Sequence, residues 1–159
     1  MLFISLLQKY TFPARILANK TNSYLTYCSP KETAGNTNSI GHIDPITLTE
    51  LYRFRKISDR TKIYGITGFP LHYTSSPEIH NKGYDKNNID AVYVPIRSPK
   101  ISEVVEFCNT VGIEGMSVTV PHKETVLIET NSIDSEVSEI RACNTIVKKD
   151  GRWFGYNTD

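Results

Sequence analysis

The sequence predicts an α/β fold: a mostly parallel, open sheet with flanking helices. Three observations lead there. From residue 62 onward, short runs rich in β-branched and aromatic residues alternate with segments of helical periodicity, and strands separated by helices of this length pair in parallel through crossovers. Ser-Pro pairs at 76–77 and 98–99 and a glycine at 112 punctuate the helical segments, as helix starts and stops require. Finally, "TIVKK" and "RWFGY" flank Asp150-Gly151, a pair that tolerates the positive φ of a two-residue hairpin turn.

Along the chain, "LFISLL" and "SYLTYC" read as buried strands, whereas the polar, Gly/Asn-rich "PKETAGNTNSIGHIDP" between them and the next element does not belong in a core. "PITLTELYRF" reads as a short helix with Leu48, Leu51 and Tyr52 on one face and Thr47 as N-cap. A charged seam, "RKISDRT", follows. "KIYGITG" is then a strand ending at Gly68, and "SSPEIHNKGY" starts a helix with Ser76 as N-cap and Pro77 as its first residue. "AVYVPI" is the next strand. In "SPKISEVVEFCNTVG", Ile101, Val104, Val105, Cys108 and Val111 share one stripe and Gly112 ends the helix. "GMSVTV" is a third strand, Pro121 opens a helix running through Thr130, and "DSEVSEIRA" is a short helix before the hairpin.

At 159 residues and a net charge of +1, the chain has neither the basic patch of a nucleic-acid binder nor that of a membrane-surface protein. No stretch is long enough to span a bilayer. "MLFISLLQKY" has no Lys or Arg before its apolar run and no small-residue cleavage site after it, so a strand is favoured over a signal peptide. Cys28, Cys108 and Cys143 lack paired spacing and read as buried small hydrophobes of a reducing cytosol. His42, His72, His80 and His122 have no metal-ligand rhythm, and no metal is expected.

In such sheets ligands lie beyond the carboxyl ends of the strands. Tyr73, Thr74, Ser75 and Ser76 follow the first strand of the alternating region; Thr119, Pro121, His122 and Lys123 follow the third. Asn144 stands where the last helix gives way to a strand, and Asn157, Thr158 and Asp159 follow the final strand. Converging, these groups could hold a small polyol acid. Thr74 and Ser76 could bind its carboxylate with help from a helix N-terminus, and Lys123 and Asp159 could exchange a proton. Each residue also has a plain reading: Ser76 as a cap, Lys123 as an exposed first-turn lysine, Asn144 as a turn residue satisfying backbone groups, Asp159 as a solvated terminal residue.

The motifs "GFPLHYTSSPEIHN", "SVTVPHKE", "ACNTIV" and "GYNTD", in this order, resemble the substrate-binding domain of shikimate dehydrogenases over about residues 60–159. The resemblance implies that Thr74 and Ser76 hold the shikimate carboxylate, that Ser117 and Thr119 line the substrate, and that Asn144 binds a substrate hydroxyl. It implies Lys123 as the catalytic lysine and Asp159 as its partner. The implied activity is NADP-dependent interconversion of 3-dehydroshikimate and shikimate in the pathway to chorismate and the aromatic amino acids, with Lys123 as proton donor. Departures are Tyr73-Thr74 where the family usually has His-Ser, which leaves a quinate-preferring dehydrogenase as an alternative, and Ser117 for the commoner Asn, as in plant-type fused enzymes. His72 lies one place early for the family's histidine and is assigned nothing.

Upstream, "FPARILANKTNSYLTYCSPKETAGNTNSIGHID" resembles the carboxyl end of a type I 3-dehydroquinate dehydratase, a (β/α)8 barrel. By that resemblance Arg15, Asn38 and His42 are remnants of a dehydroquinate site, residues 1–55 are an incomplete barrel, 56–61 a linker, and 62–159 the substrate-binding domain of a bifunctional parent. A few barrel elements cannot close, so dehydratase activity is not expected of this chain. No Gly-x-Gly-x-x-Gly run occurs in it, so NADP is expected to bind the parent outside this stretch, and the chain alone is expected to be inactive, or a binding-only domain or gene remnant. Asp159, ending the chain, is expected to fray and to pair poorly with Lys123. The partner expected is a small molecule, not nucleic acid or membrane, in the cytoplasm, or in a plastid for a plant-type parent.

Overall fold

The computed structural model describes residues 10–30, 41, 43–71 and 73–159. The expected strand at 2–7 lies outside these. The chain divides into two compact units: one comprises the described residues up to Lys62 together with Ser75–Val94, the other Ile63–Thr74 with Pro95–Asp159.

In the first unit, Thr11–Ile16 forms a helix (α1) that the sequence reading passed over. The "SYLTYC" stretch forms no strand: no neighbouring strand offers it a ladder among the described residues, and Tyr24, Leu25 and Tyr27 are exposed. The helix expected from "PITLTELYRF" forms, but winds as a π-helical turn over Thr47–Leu51. Its cap is Asp44, whose carboxylate accepts the Thr47 N–H at 2.9 Å. Hydrogen bonding to Thr47 holds that carboxyl below its usual range, and a carboxylate is the stronger acceptor at a helix start.

Helix α2, Ser76–Lys86, begins at Ser76 itself, so the cap position belongs to Ser75, which is in the α region and makes no side-chain cap bond. Pro77 needs no N–H partner there. Inside the unit the buried Asn81 side chain both donates to the Tyr93 carbonyl and accepts the Tyr93 N–H, each at 2.9 Å. That bidentate match ties α2 to the first part of β2 (Ala91–Arg97). Arg53 joins the same layer through the Ala91 carbonyl, at 2.6 Å, and Asp85, at 3.3 Å.

The second unit is built on a sheet of order β2-β1-β3-β5-β6-β4, to which β2 contributes residues 95–97. The strands are β1 (Lys62–Gly68), β3 (Ile113–Val118), β4 (Ser132–Ile133), β5 (Thr145–Lys149) and β6 (Arg152–Tyr156). β1 pairs with β3 in parallel. β5 runs antiparallel to both β3 and β6, and β4 is parallel to β6. The sheet is therefore mixed rather than mostly parallel, because the Asp150-Gly151 hairpin is inserted between β3 and β4. Both turn residues have positive φ, 50° and 76°, the geometry that the Asp-Gly pair favours.

Helix α3, Ile101–Val111, buries the expected stripe and Phe107 besides, and ends at Gly112 in the left-handed region. The helix expected from Pro121 is two short pieces, α4 (His122–Thr125) and a 3-10 turn (Val126–Glu129), with Thr130 already extended. Helix α5, Ser135–Ile140, is capped by Asp134, which accepts the Val137 N–H at 2.8 Å. Cys108 and Cys143 are buried as expected, but Cys28 is exposed, since the strand meant to bury it does not form.

The ends of β1 and β3 approach so closely that a Cβ on Gly68 would sit 2.6 Å from Thr119 Cγ2 and 3.0 Å from the Val120 carbonyl. Overpacking of this kind costs about 1–3 kcal/mol. Gly68→Ala is accordingly expected to lower the urea midpoint with an unchanged m-value, and an unchanged midpoint would show that the approach is looser than described.

Candidate functional site

Strand direction explains why polar residues gather at one edge of the second unit. Parallel β1 and β3 end side by side, where the Thr119 N–H donates to the Thr67 carbonyl at 2.9 Å and the Phe69 N–H to that of Val120 at 3.0 Å. Antiparallel β5 begins at the same edge, just after Asn144, and β6 returns to end there with Tyr156. Thr119, Asn144 and the segment Asn157–Asp159 are thus neighbours although 40 residues of sequence separate the first from the last.

Asn144 is the joint between these chain ends. Its carbonyl accepts the Val118 N–H at 2.7 Å and its N–H donates to the Tyr156 carbonyl at 3.1 Å, so it bridges β3 and β6. The side chain is only 8 % exposed. Its Oδ1 accepts from Thr145 Oγ1 at 2.9 Å, Thr158 N–H at 3.1 Å and Thr158 Oγ1 at 3.2 Å. Asn157 adds a second tie: its Nδ2 donates to the Ala142 carbonyl at 3.3 Å, and its Oδ1 accepts the Asp159 N–H at 3.1 Å.

Lys123 is the second residue of α4. Its carbonyl accepts the Cys143 N–H at 2.8 Å, and its Nζ lies 2.5 Å from Asp159 Oδ2. Against the expectation of a poor pairing, Asp159 is placed on Lys123, and hydrogen bonds to Asn157 and Asn144 tie the segment that carries it. The hydrogen bond from Lys123, then one from Asn144, then the lysine's charge hold the Asp159 carboxyl below its usual range. Preceding Lys123, His122 is 1 % exposed, with Nε2 at 2.8 Å from the Ser98 carbonyl. A carbonyl only accepts, so Nε2 carries the proton.

Of the other residues the sequence singled out, Ser117 lies in β3 opposite Ile66 and Thr145. Ser117, Thr119 and Thr74 are all half-buried in the second unit. Ser76 belongs to the first unit, at the start of α2. Arg15, also there, donates from Nη1 to the Gly41 carbonyl at 2.7 Å; Asn38 and His42 lie outside the described residues. The reading of the sequence placed Thr158 and His122 among the strand-end groups but gave neither an individual role. Among the described residues no group of His, Cys, Asp and Glu side chains is placed to hold a metal, and no helix is long and apolar enough to cross a membrane.

The family model for the shikimate dehydrogenase substrate binding domain matches residues 66–146. The chain is 34% identical over 148 residues, 92% of its length, to a chloroplastic bifunctional 3-dehydroquinate dehydratase/shikimate dehydrogenase of Arabidopsis thaliana. It is 41% identical over 100 residues, 62% of its length, to a shikimate dehydrogenase (NADP(+)) of Clostridium perfringens. These matches span 24% of the first protein and 37% of the second. Among solved structures, shikimate dehydrogenase from Aquifex aeolicus superposes with a TM-score of 0.60 at 30% identity, covering 64% of this chain and 39% of that one.

The Asp159 shift fixes a pH dependence. A carboxyl whose folded pKa is depressed contributes stability above its unfolded value, and that contribution is lost as pH falls through the folded pKa. The Lys123–Asp159 pair is therefore expected to persist from neutral pH down past 3.8, the ordinary value, and to break below it. Carbon-13 NMR of the Asp159 carboxyl should show a midpoint below 3.8 that rises in Lys123→Met; an ordinary midpoint in both proteins would mean that the pair does not form in solution.

Proposed function

The chain belongs to the shikimate dehydrogenase substrate-binding domain family, and from that membership we propose that it holds 3-dehydroshikimate or shikimate for NADP-dependent oxidoreduction at C3 of the ring, as part of a longer enzyme. The observation that carries this reading is the Lys123–Asp159 pair, assembled at the strand-end edge where a ligand of such a sheet binds.

The chemistry this chain can supply is proton handling and orientation. As the C3 carbonyl is reduced, its oxygen gains negative charge and takes up a proton. The Lys123 ammonium is the donor, and in the opposite direction the free amine accepts the hydroxyl proton. Asp159 keeps the lysine tip in place between turnovers. Thr119, Ser117 and Asn144 are assigned to the ring hydroxyls and Thr74 and Ser76 to the carboxylate, on the family's motifs. The sequence has no glycine-rich phosphate turn, so the residues of this chain do not fit NADP. The cofactor assignment rests on the relatives, one of which carries it in its name.

For the upstream part we assign residues 1–55 to the end of a type I 3-dehydroquinate dehydratase, 56–61 to a linker and 62–159 to the substrate-binding domain. The Arabidopsis match along 92% of the chain supports this, as does the hydrogen bond from the assigned arginine, Arg15, to the Gly41 carbonyl. A plastid location for a plant-type parent rests on the chloroplastic relative.

Two experiments test the reading. Calorimetric titration of this chain with shikimate should give saturable binding that Thr119→Val abolishes; no heat at millimolar shikimate would favour an inert remnant. In the longer enzyme Lys123→Ala should lower kcat by about 10²–10⁴-fold, the usual worth of a positioned acid or base, with a smaller change in KM. A raised KM at constant kcat would instead make Lys123 a binding residue.

A further inference from the structure

We propose that Arg53 is a positioning residue for the carboxylate end of the substrate site: by fixing the last turn of α2 it sets where Ser76, the first residue of that helix, stands. The inference rests on the assignment of Ser76 to the substrate carboxylate. Arg53 itself precedes the 66–146 match of the family model.

Apolar burial does not place α2. Of its 11 residues Pro77 and Asn81 are the buried ones, and Ile79 is 65% exposed. A helix without an apolar stripe has no hydrophobic face to set its angle, so polar ties must. Asn81 supplies one, on Tyr93. Arg53 supplies two more. Its Nη1 donates to Asp85 Oδ1, in the last turn of α2, at 3.3 Å, and its Nη2 donates to the carbonyl of Ala91, the first residue of β2, at 2.6 Å. One planar guanidinium thus clamps both ends of the connection between helix and strand. Lys56 donates to the same Asp85 oxygen at 3.0 Å.

Two unfavourable features meet at Arg53. Its backbone is left-handed, with φ 51° and ψ 41°, a region that residues other than glycine rarely occupy. Its Nε is buried with no hydrogen-bond partner among the described residues, and the side chain is only 13% exposed. Strain of this kind persists where the surroundings over-determine a residue's place. Close packing is not what holds this one, because cavities of about 260 and 270 Å³ lie beside Arg53, and Arg53 and Asp85 line both. Its hydrogen bonds hold it. The lever they control is long. At 1.5 Å per residue, Asp85 and Ser76 lie roughly 13 Å apart along the helix axis, so a tilt of about 5° moves Ser76 by about 1 Å. A misplacement of about 1 Å can cost about 100-fold in catalysis.

The test uses Arg53→Met, and Arg53→Lys, which keeps the charge but loses the fork that spans two acceptors. In this chain, residual dipolar couplings of backbone amides report the angle between α2 and residues 91–94 of β2, all in the first unit. Arg53→Met is expected to change that angle and Arg53→Lys to change it by less, while the angle between α3 and β3 stays as it was. In the longer enzyme, Arg53→Met is expected to lower kcat/KM for shikimate by about 10–100-fold. For an analogue with hydrogen in place of the carboxylate, kcat/KM should stay within about twofold. A general loss of structure would lower both alike. Unchanged couplings, an unchanged kcat/KM for shikimate, or an equal loss on the two substrates overturns the proposal. Should Arg53→Met fail to fold, Arg53→Lys decides by the same measurements. The Ser76 assignment fails separately, if Ser76→Ala leaves kcat/KM for shikimate unmoved, and its failure would leave the coupling result intact.

Discussion

The polar edge of the second unit depends on one reversal of chain direction, between β3 and β5. β1 and β3 run in parallel, as strands joined by a crossover helix do, and their ends present Thr119 and Lys123. Were β5 parallel as well, Asn144 would enter from the opposite edge. At about 3.4 Å per residue, the five residues of β5 would place it roughly 15 Å away. Running antiparallel, β5 starts beside the end of β3, and the Asp150-Gly151 turn returns β6 to the same edge. A tight turn at the far end of the sheet is thus what brings Asp159 to Lys123.

The ion pair does not hold itself in place. The Lys123 and Asp159 side chains are 35% and 66% exposed, and pairs open to water contribute little to stability. What places Asp159 is the set of amide bonds beneath it. A satisfied hydrogen bond contributes about 1 kcal/mol, whereas a buried polar group left without a partner costs about 1–3 kcal/mol. Asn144, at 8 % exposure, therefore resists any rearrangement that would strip its oxygen of donors. The penalty for breaking the joint, more than the strength of any one bond in it, keeps the "NTD" segment against the "ACN" segment.

Much of the second unit was legible in the sequence because its signals are local. The stripe on α3, Gly112 as its stop, and the Asp-Gly turn each depend on residues within one element, and all three appear where expected. Fold details that depend on partners were not legible. "SYLTYC" has the composition of a strand, yet strand formation needs a neighbour, and none is present among the described residues. Thr47 and Ser76 looked like caps until Asp44, the better acceptor, and Ser75, one residue earlier, occupied those positions. The mixed sheet follows from where the hairpin inserts, which no local pattern reports. At the site the residue types were legible, but the lock of Thr158 on Asn144 crosses 14 residues and leaves no periodic trace. The pairing of Asp159 with Lys123 was underestimated for the same reason, since one of the two amides that restrain its segment, Asn144, lies 14 residues before Thr158.

Lys123 shows how a short helix can fix the base of a side chain and leave its tip free. Its main chain is held on two sides: the preceding residue, His122, is buried with its ring N–H on the Ser98 carbonyl, and its own carbonyl takes the Cys143 N–H. Beyond that fixed base, four methylene groups carry an ammonium that is only partly covered. Such a side chain can swing between Asp159 and a ligand without disturbing the backbone, because no bond that organises the sheet edge passes through Nζ. Asn144 is the opposite case, since its oxygen is engaged by three donors and cannot turn without breaking the joint. This edge thus combines one movable ammonium with one fixed amide, and the chain achieves both by burying His122 and Asn144 while leaving Lys123 and Asp159 more open to solvent.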